Sequence, residues 1–376
     1  MTEKLIYNSF YDRSGVPDLV TGARPTSFYE FWPTWLFYAP MKLYGLGLAL
    51  RYWGLTLPTI TNPLFDKGGF VGESKSQILN QIPDSLSDNV CAHISIQKDT
   101  NDQNHIQLVY QRALEEINDK AINFPCVIKP DEGERGMGVQ IAYKENDILR
   151  YLQEYPSGEK IIVQQMADYP CEAGLFYIRK PNEKKGKIFS LTLKYFPFVV
   201  GDGVTTLKDL ILKDPRAGKL SHIYLKRHQK NWDMVLPKGK QYRIAFTGSH
   251  SRGTIFKNGN PYITKEMEEN WDQFCQKIPE FYFGRFDVRF HTMEDLETLH
   301  NVKVIEINGA SAEATHIWDS HYPILKAYKT LMQQYKYMFE IGAQNRKRGF
   351  TPVPFKEVYE LIKKNKTLPD IYPHTH

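Results

Sequence analysis

The chain has 376 residues, 41% of them hydrophobic and 24% charged, with a formal net charge of +5. That length exceeds one ordinary hydrophobic core and predicts two or three lobes sharing an interface. So small a charge, with no basic block beyond "NRKRGF" at 345–350 (a solvated helix end), argues against nucleic acid and for anionic small molecules or a weak membrane preference.

Cys91, Cys126, Cys171 and Cys275 lie far apart with no CxxC pair, so neither a zinc site nor a disulfide framework is expected. The start, "MTEKLIYNSFYDRSG", lacks the basic-then-apolar order of a signal peptide. The expected location is the cytoplasm, with peripheral membrane contact left open.

Residues 28–63 are dense in Trp, Tyr, Phe and Leu, yet Glu30, Lys42 and Arg51 interrupt them and Pro33 and Pro40 are expected to break helical continuity. No charge-free stretch reaches the ~20 residues of a spanning helix. Two readings stay open: a buried helix from about 41 to 53, or an interfacial element whose rings and flanking cations meet headgroups. Next, "GESK" predicts a helix start capped by Ser74, with Lys75 in a first turn whose dipole disfavours a cation unless an anion is held there.

A helix is expected over 106–119 and a buried strand in "NFPCVIKP". A glycine-rich loop with Gly133, Gly136 and Gly138 follows, then a returning strand "GVQIAYK", a helix over 145–155 and a strand over 160–167. Beyond that the pattern is mostly β. "EAGLFYIRK" and "KIFSLTLKYFPFVV" precede a helix in "TTLKDLILKD"; "YRIAFTGSHSRGTIF" (242–256) reads as strand, turn and strand; a helix covers 264–278. Last come "YFGRFDVRFH" and "HNVKVIEINGA", two strands joined by an acidic loop. These elements predict an α+β architecture.

Asp287 lies inside the first of those final strands, Glu306 and Asn308 inside the second. Strand residues two apart share a face, so Glu306 and Asn308 project together, and Asp287 joins them if the strands pair. Side-by-side buried carboxylates repel unless a cation separates them. Hard oxygen donors of this kind suit Mg2+ (or Mn2+). The alternative is a pair of exposed positions bridged to Arg285 and Arg289. Upstream, the glycine loop offers backbone N–H groups to phosphate, Lys129 at its strand base and Lys75 supply charge, and the loop can order as a lid. Together these describe a nucleotide site between two lobes.

Strand-Lys-Pro-glycine loop, then "IIVQQMA…E", then "FGRFDV…VIEINGA" resembles the ATP-grasp superfamily. Within it the chain is similar to D-alanine–D-alanine ligases and to cyanophycin synthetase-like enzymes, the latter through "VVGDGVTTLKDLI", "RHQKNWDMVLPKGKQYRI" and "GSHSRGT". The resemblance covers roughly residues 70–320. It implies two α+β lobes gripping ATP. An atypical aromatic N-terminal segment at 1–70 precedes a lobe with the glycine-rich loop at 71–165. A lobe with the metal and substrate site at 166–345 and a C-terminal tail at 346–376 complete the division.

Carried over by position, the resemblance makes Lys129 and Lys75 phosphate-binding and assigns the adenine-facing segment to Gln164, Gln165, Met166 and Ala167. It makes Glu172 the ribose partner, Asp287, Glu306 and Asn308 the metal ligands, and Arg252 the arginine near the transferred phosphoryl. Gln164 and Gln165 depart from the family, which commonly has an acid there, and no βαβ pattern precedes residue 70. "GASAEATHIWD" follows the metal strand, so Glu313, Thr315 and His316 are expected on the acceptor side, His316 either as a base or as a hydrogen-bonded structural histidine.

The implied reaction joins a small-molecule carboxylate to an amine through an acylphosphate, with Lys129 and Arg252 the catalytic side chains. A hydroxyl or thiol acceptor, or a non-catalytic module binding membrane or protein, remains the alternative.

Overall fold

A computed structural model describes residues 15–17, 26–133, 136–245, 248, 253–367 and 372–373. Helix α1 spans Thr34–Arg51 and starts earlier than expected, because it runs through Pro40 rather than breaking there. Proline removes one N–H and so one hydrogen bond to the carbonyl four residues earlier. Burial of Phe37, Met41, Leu48 and Ala49 on both sides of it holds the helix together. The helix ends in a reversal where Gly54 N–H donates to the Ala49 carbonyl (3.0 Å) and Trp53 takes φ +53°. Short 3-10 turns carry the chain to α2 (Lys75–Leu79), whose Ser74 cap accepts from the Gln77 N–H as predicted.

The next residues build a four-stranded antiparallel sheet. Its strands are β1 (His93–Gln97), β2 (Cys126–Pro130), β3 (Gln140–Ala142) and β4 (Lys160–Gln165), in the order β1-β4-β2-β3. The strand after the glycine loop does return alongside β2. Helix α3 (Gln103–Asp119) buries Ile106, Val109, Ala113 and Ile117, a stripe at helical spacing, and α4 (Glu145–Glu154) buries Ile148, Tyr151 and Leu152. These meet Ile94, Ile96, Ile128, Ile161 and Val163 in one core.

A five-stranded antiparallel sheet follows, made of β5 (Cys171–Ile178), β6 (Lys187–Tyr195), β9 (Ile255–Asn258), β10 (Phe283–Phe290) and β11 (Val302–Asn308) in the order β11-β10-β5-β6-β9. Between β6 and β9 the chain inserts a small unit: β7 (Phe198–Val200), α5 (Leu207–Lys213), α6 (Ser221–Arg227) and β8 (Gln241–Arg243). The stretch 242–256, read as strand, turn and strand, does carry two strands; β8 pairs with β7 and β9 with β6, and Leu207, Ile211, Tyr224, Tyr242 and Ile244 give the insert a core of its own.

Helix α7 (Lys265–Gln276) covers one face of the large sheet, and Trp271 and Phe274 pack on Leu175, Leu191, Phe286, Val288 and Val304. The acidic connection between β10 and β11 contains a helix, α8 (Met293–Thr298). On the other face Phe176, Ile178 and Phe283 meet Leu48 of α1 and Met338 and Ile341 of α9 (Ile324–Lys347). The stretch expected as a C-terminal tail carries α10 (Phe355–Thr367). The architecture is α+β, as the sequence predicted.

One irregularity sets the chemistry of this sheet. Asp287 lies opposite Glu306, but its neighbour Val288 lies opposite Val304, so Ile305 is an extra residue in β11. Val302 and Val304 belong to the core under α7. Strict alternation would send Glu306 and Asn308 to that same apolar side. The bulge turns them to the face of Arg285 and Asp287 and returns Ile307 to the core.

The N-terminal segment closes against the end of this strand. Ala310 N–H donates to the Gly68 carbonyl (3.1 Å) and Ser311 N–H to that of Gly69 (2.7 Å). A Cβ on Gly309 would lie 2.7 Å from Gly68 O and 2.7 Å from the Gly69 Cα. Gly309→Ala is therefore expected to cost about 1–3 kcal/mol by overpacking. Urea denaturation checks this, and an unshifted midpoint contradicts the close approach.

Candidate active site

The polar face of the five-stranded sheet holds a chain of buried charges. Asp287 on β10 receives Lys194 Nζ from β6 (2.9 Å) and Arg285 Nε from its own strand (3.0 Å). Lys194 also reaches Glu172 on β5 (3.0 Å), and Glu172 in turn holds Arg289 Nε (2.8 Å). Arg289 then donates to the carbonyl of Tyr169 (3.1 Å), in the segment joining the two sheets. Gly174 lets Arg285 lie across the sheet, since a Cβ there would come within 3.1 Å of Arg285 Cδ.

Burial opposes charge on Asp287, but Arg285 and Lys194 outweigh it and hold the carboxyl well below the usual range. Burial likewise works against Lys194, and Asp287 with Glu172 overcomes it and lifts the ammonium.

Lys129 approaches from the smaller sheet and Lys75 from the start of α2. Lys129 Nζ donates to Gln164 Oε1 (2.8 Å) and to the Ile305 carbonyl (3.3 Å), to which Gln164 Nε2 also donates (3.2 Å). The bulged residue thus offers its carbonyl to both side chains of the facing lobe. Burial pulls the Lys129 ammonium down, with Glu306 partly restoring it and Lys75 depressing it further. Lys75 Nζ donates to the Gly133 carbonyl (2.6 Å) and lies 3.8 Å from Glu306 Oε1. Gly133, Gly136 and Gly138 all take positive φ, and Gly138 O accepts from Tyr151 (2.7 Å). Glu134 and Arg135 of this loop lie outside the described residues.

Asp287, Glu306 and Asn308 do come together. The carboxylates are directly opposed, and Asn308 Nδ2 is 3.5 Å from Asp287 Oδ2. Two carboxylates and an amide are a hard oxygen set that fits Mg2+. Among the described residues no group of three or more His, Cys, Asp or Glu comes together here or elsewhere. The pairing of Asp287 with Arg285 also occurs, but buried rather than exposed, and Arg289 pairs with Glu172 instead.

Gln164 spends its side chain on bridging the sheets, and Gln165 ends β4, so Met166 and Ala167 begin the link between lobes. Glu172 already bridges two cations, a role spacing alone does not reveal. Arg252 lies outside the described residues.

On the far side of Asp287, Arg285 donates to the Glu313 carbonyl (3.1 Å). The Glu313 carboxylate accepts from Trp318 Nε1 (2.7 Å) and from Tyr38 of α1. Thr315 Oγ1 meets Thr192 Oγ1 (3.0 Å). His316 is buried with neither ring nitrogen hydrogen-bonded, and it packs edge-on against Tyr322. Burial pulls its pKa down to about 4, which keeps the ring neutral.

Lys194, Arg285 and Glu73 were not expected at the site. The signal for Arg285 was its two-residue spacing from Asp287 in an apolar strand, and for Lys194 the polar alternation Ser190, Thr192, Lys194. Glu73 accepts from Gly309 N–H (3.0 Å) and Ser311 Oγ (3.3 Å), contacts that sequence spacing does not contain. Loss of water pushes its carboxyl up to about 7, against the pull of the Gly309 N–H.

No protein-family model matches the chain, and no curated protein matches it. Among solved structures it is similar to VanG D-Ala:D-Ser ligase from Enterococcus faecalis (13% identity, TM-score 0.40, covering 74% of this chain and 64% of that one). It is also similar to the D-alanine-D-alanine ligase from Coxiella burnetii (11%, 0.37, 77% and 61%) and a bifunctional glutathione synthetase from Pasteurella multocida (16%, 0.33, 71% and 38%). The chain thus spans less than two thirds of each of these structures. The case for function rests on the site's own residues.

Lys194→Met leaves Asp287 with Arg285 and Glu172 with Arg289 but removes the buried cation shared by the two carboxylates, so it is expected to destabilise the protein by about 1–3 kcal/mol in chemical denaturation. Glu73 keeps its proton in the folded chain up to about pH 7, whereas an unfolded glutamate loses it near the ordinary value of 4.5. Its contribution to stability therefore falls as pH rises through that window. Glu73→Gln is expected to remove this slope, read as the difference between the two midpoint-against-pH profiles; parallel profiles contradict it.

Proposed function

We propose that this chain is an ATP-dependent carboxylate–amine ligase. The carrying observation is that Glu306, opposite Asp287 and two residues from Asn308 on the large sheet, lies against Lys75 of α2, while Lys129 of the smaller sheet binds the adjoining Ile305 carbonyl. Two acidic oxygens opposite two ammonium groups, under a loop of positive-φ glycines, suit a bound polyphosphate.

Asp287, Glu306 and Asn308 would hold Mg2+, which when bound neutralises phosphate oxygens. Lys129 and Lys75 would lie along the polyphosphate and offset charge as the terminal phosphoryl transfers to the substrate carboxylate. Arg285 fixes Asp287 and touches the Glu313 backbone, so it stands between the phosphoryl side and the expected acceptor side. The acylphosphate then loses phosphate as the amine forms the amide. Met166 and Ala167, between the sheets, are the assigned adenine contacts. Little covalent work falls to the protein; orientation and charge do the rest.

ADP release with paired carboxylates and amines, including amino acids, peptides and aminolipids, tests the reading. Amine-dependent ADP formation supports it; hydroxyl- or thiol-dependent formation, or none, overturns it. Asp287→Asn is expected to abolish turnover, and Lys129→Ala to weaken ATP binding by about tenfold or more in titration calorimetry. An unaltered affinity removes Lys129 from the site.

A further inference from the structure

Helix α1 has two apolar faces and buries only one. Phe37, Met41, Leu48 and Ala49 are inside, whereas Leu36, Leu43, Leu46, Leu50 and Trp53 follow one another at three-, four- and seven-residue steps along the outside. The exposure is large: 73% for Leu43, 71% for Leu50 and 86% for Trp53, with Trp35 at 68% beside them. Phe28 and Phe31, just before the helix, are exposed as well. Trp53 is held outward in a left-handed backbone position that glycine or asparagine normally fills.

The charge of the protein gathers at the same place. Helices α1 and α9 carry seven cations (Lys42, Arg51, Lys326, Lys329, Lys336, Arg346 and Lys347) against one carboxylate, Glu340. That is a net +6 on a chain whose whole formal charge is +5, so everything outside these two helices is net −1. A groove of about 410 Å³ runs between them, with Pro40, Tyr44 and Met332 below and Lys329 and Lys336 on its rim. Farther along the same seam Arg51 and Trp53 meet Arg346 and Lys347.

We propose that this face docks on the headgroup–acyl boundary of an anionic lipid bilayer. Leucines and tryptophans enter the boundary, and the cations along the seam meet acidic headgroups. Among the described residues no helix is long and apolar enough to cross a membrane, so the helix lies on the surface rather than spanning it. A second copy of the chain fits less well, because two-fold pairing would set one +6 face against another. The inference stands apart from the ligase reading, and its test measures no turnover.

The full chain is to be sedimented with vesicles containing phosphatidylglycerol, with pure phosphatidylcholine vesicles, and without vesicles. Binding is expected to the anionic vesicles, weaker to the neutral ones, and reduced by salt. Leu43→Glu with Leu50→Glu is expected to cut the bound fraction about tenfold or more while circular dichroism stays unchanged. Lys329→Glu with Lys336→Glu is expected to abolish the preference for anionic over neutral vesicles, and decides the matter if the leucine variant fails to fold. No vesicle binding, or binding indifferent to both pairs of substitutions, overturns the proposal. So does light scattering that shows a dimer abolished by the leucine substitutions with no vesicle binding.

Discussion

One extra residue in β11 carries the site. Because Ile305 bulges, the strand can bury Val302 and Val304 under α7 and still turn Glu306 and Asn308 toward Asp287. The carbonyl of the bulged Ile305, on the edge strand of its sheet, is taken up by Lys129 and Gln164 of the opposite sheet. A bulge is a local fault in a ladder of hydrogen bonds. Here it is also the point at which two sheets are tied together beside the candidate cation ligands.

From that point the charges form a relay. Asp287 holds Lys194, Lys194 holds Glu172, Glu172 holds Arg289, and Arg289 holds the backbone at Tyr169. Each member is buried, and a buried charge without a partner costs several kcal/mol, so no member can move alone. The Asp287 carboxylate and the segment between the two lobes are thereby coupled through contiguous ion pairs.

The aromatic N-terminal segment takes part in this arrangement on two sides. Gly68 and Gly69 pack backbone to backbone against Gly309, and Tyr38 reaches the Glu313 carboxylate. Leu43, Leu50 and Trp53, on the outer side of the same segment, stay exposed. One helix thus lies between the expected acceptor side of the site and an apolar, cationic surface.

Local pattern determined much of what was read from the residues alone. The strand ending in Lys129, its glycine loop and return, the Ser74 cap, and the period-2 placement of Glu306 with Asn308 all follow from neighbours a few residues away. Long-range packing decided the rest. Burial on both sides carried α1 through Pro40, and a separate small core set β8 beside β7. The partners of Asp287 on β6 and of Glu73 past β11 are 93 and 236 residues distant. Which even-spaced charge meets which depends on strand order and on a bulge, and neither leaves a mark within the span over which side-chain periodicity acts.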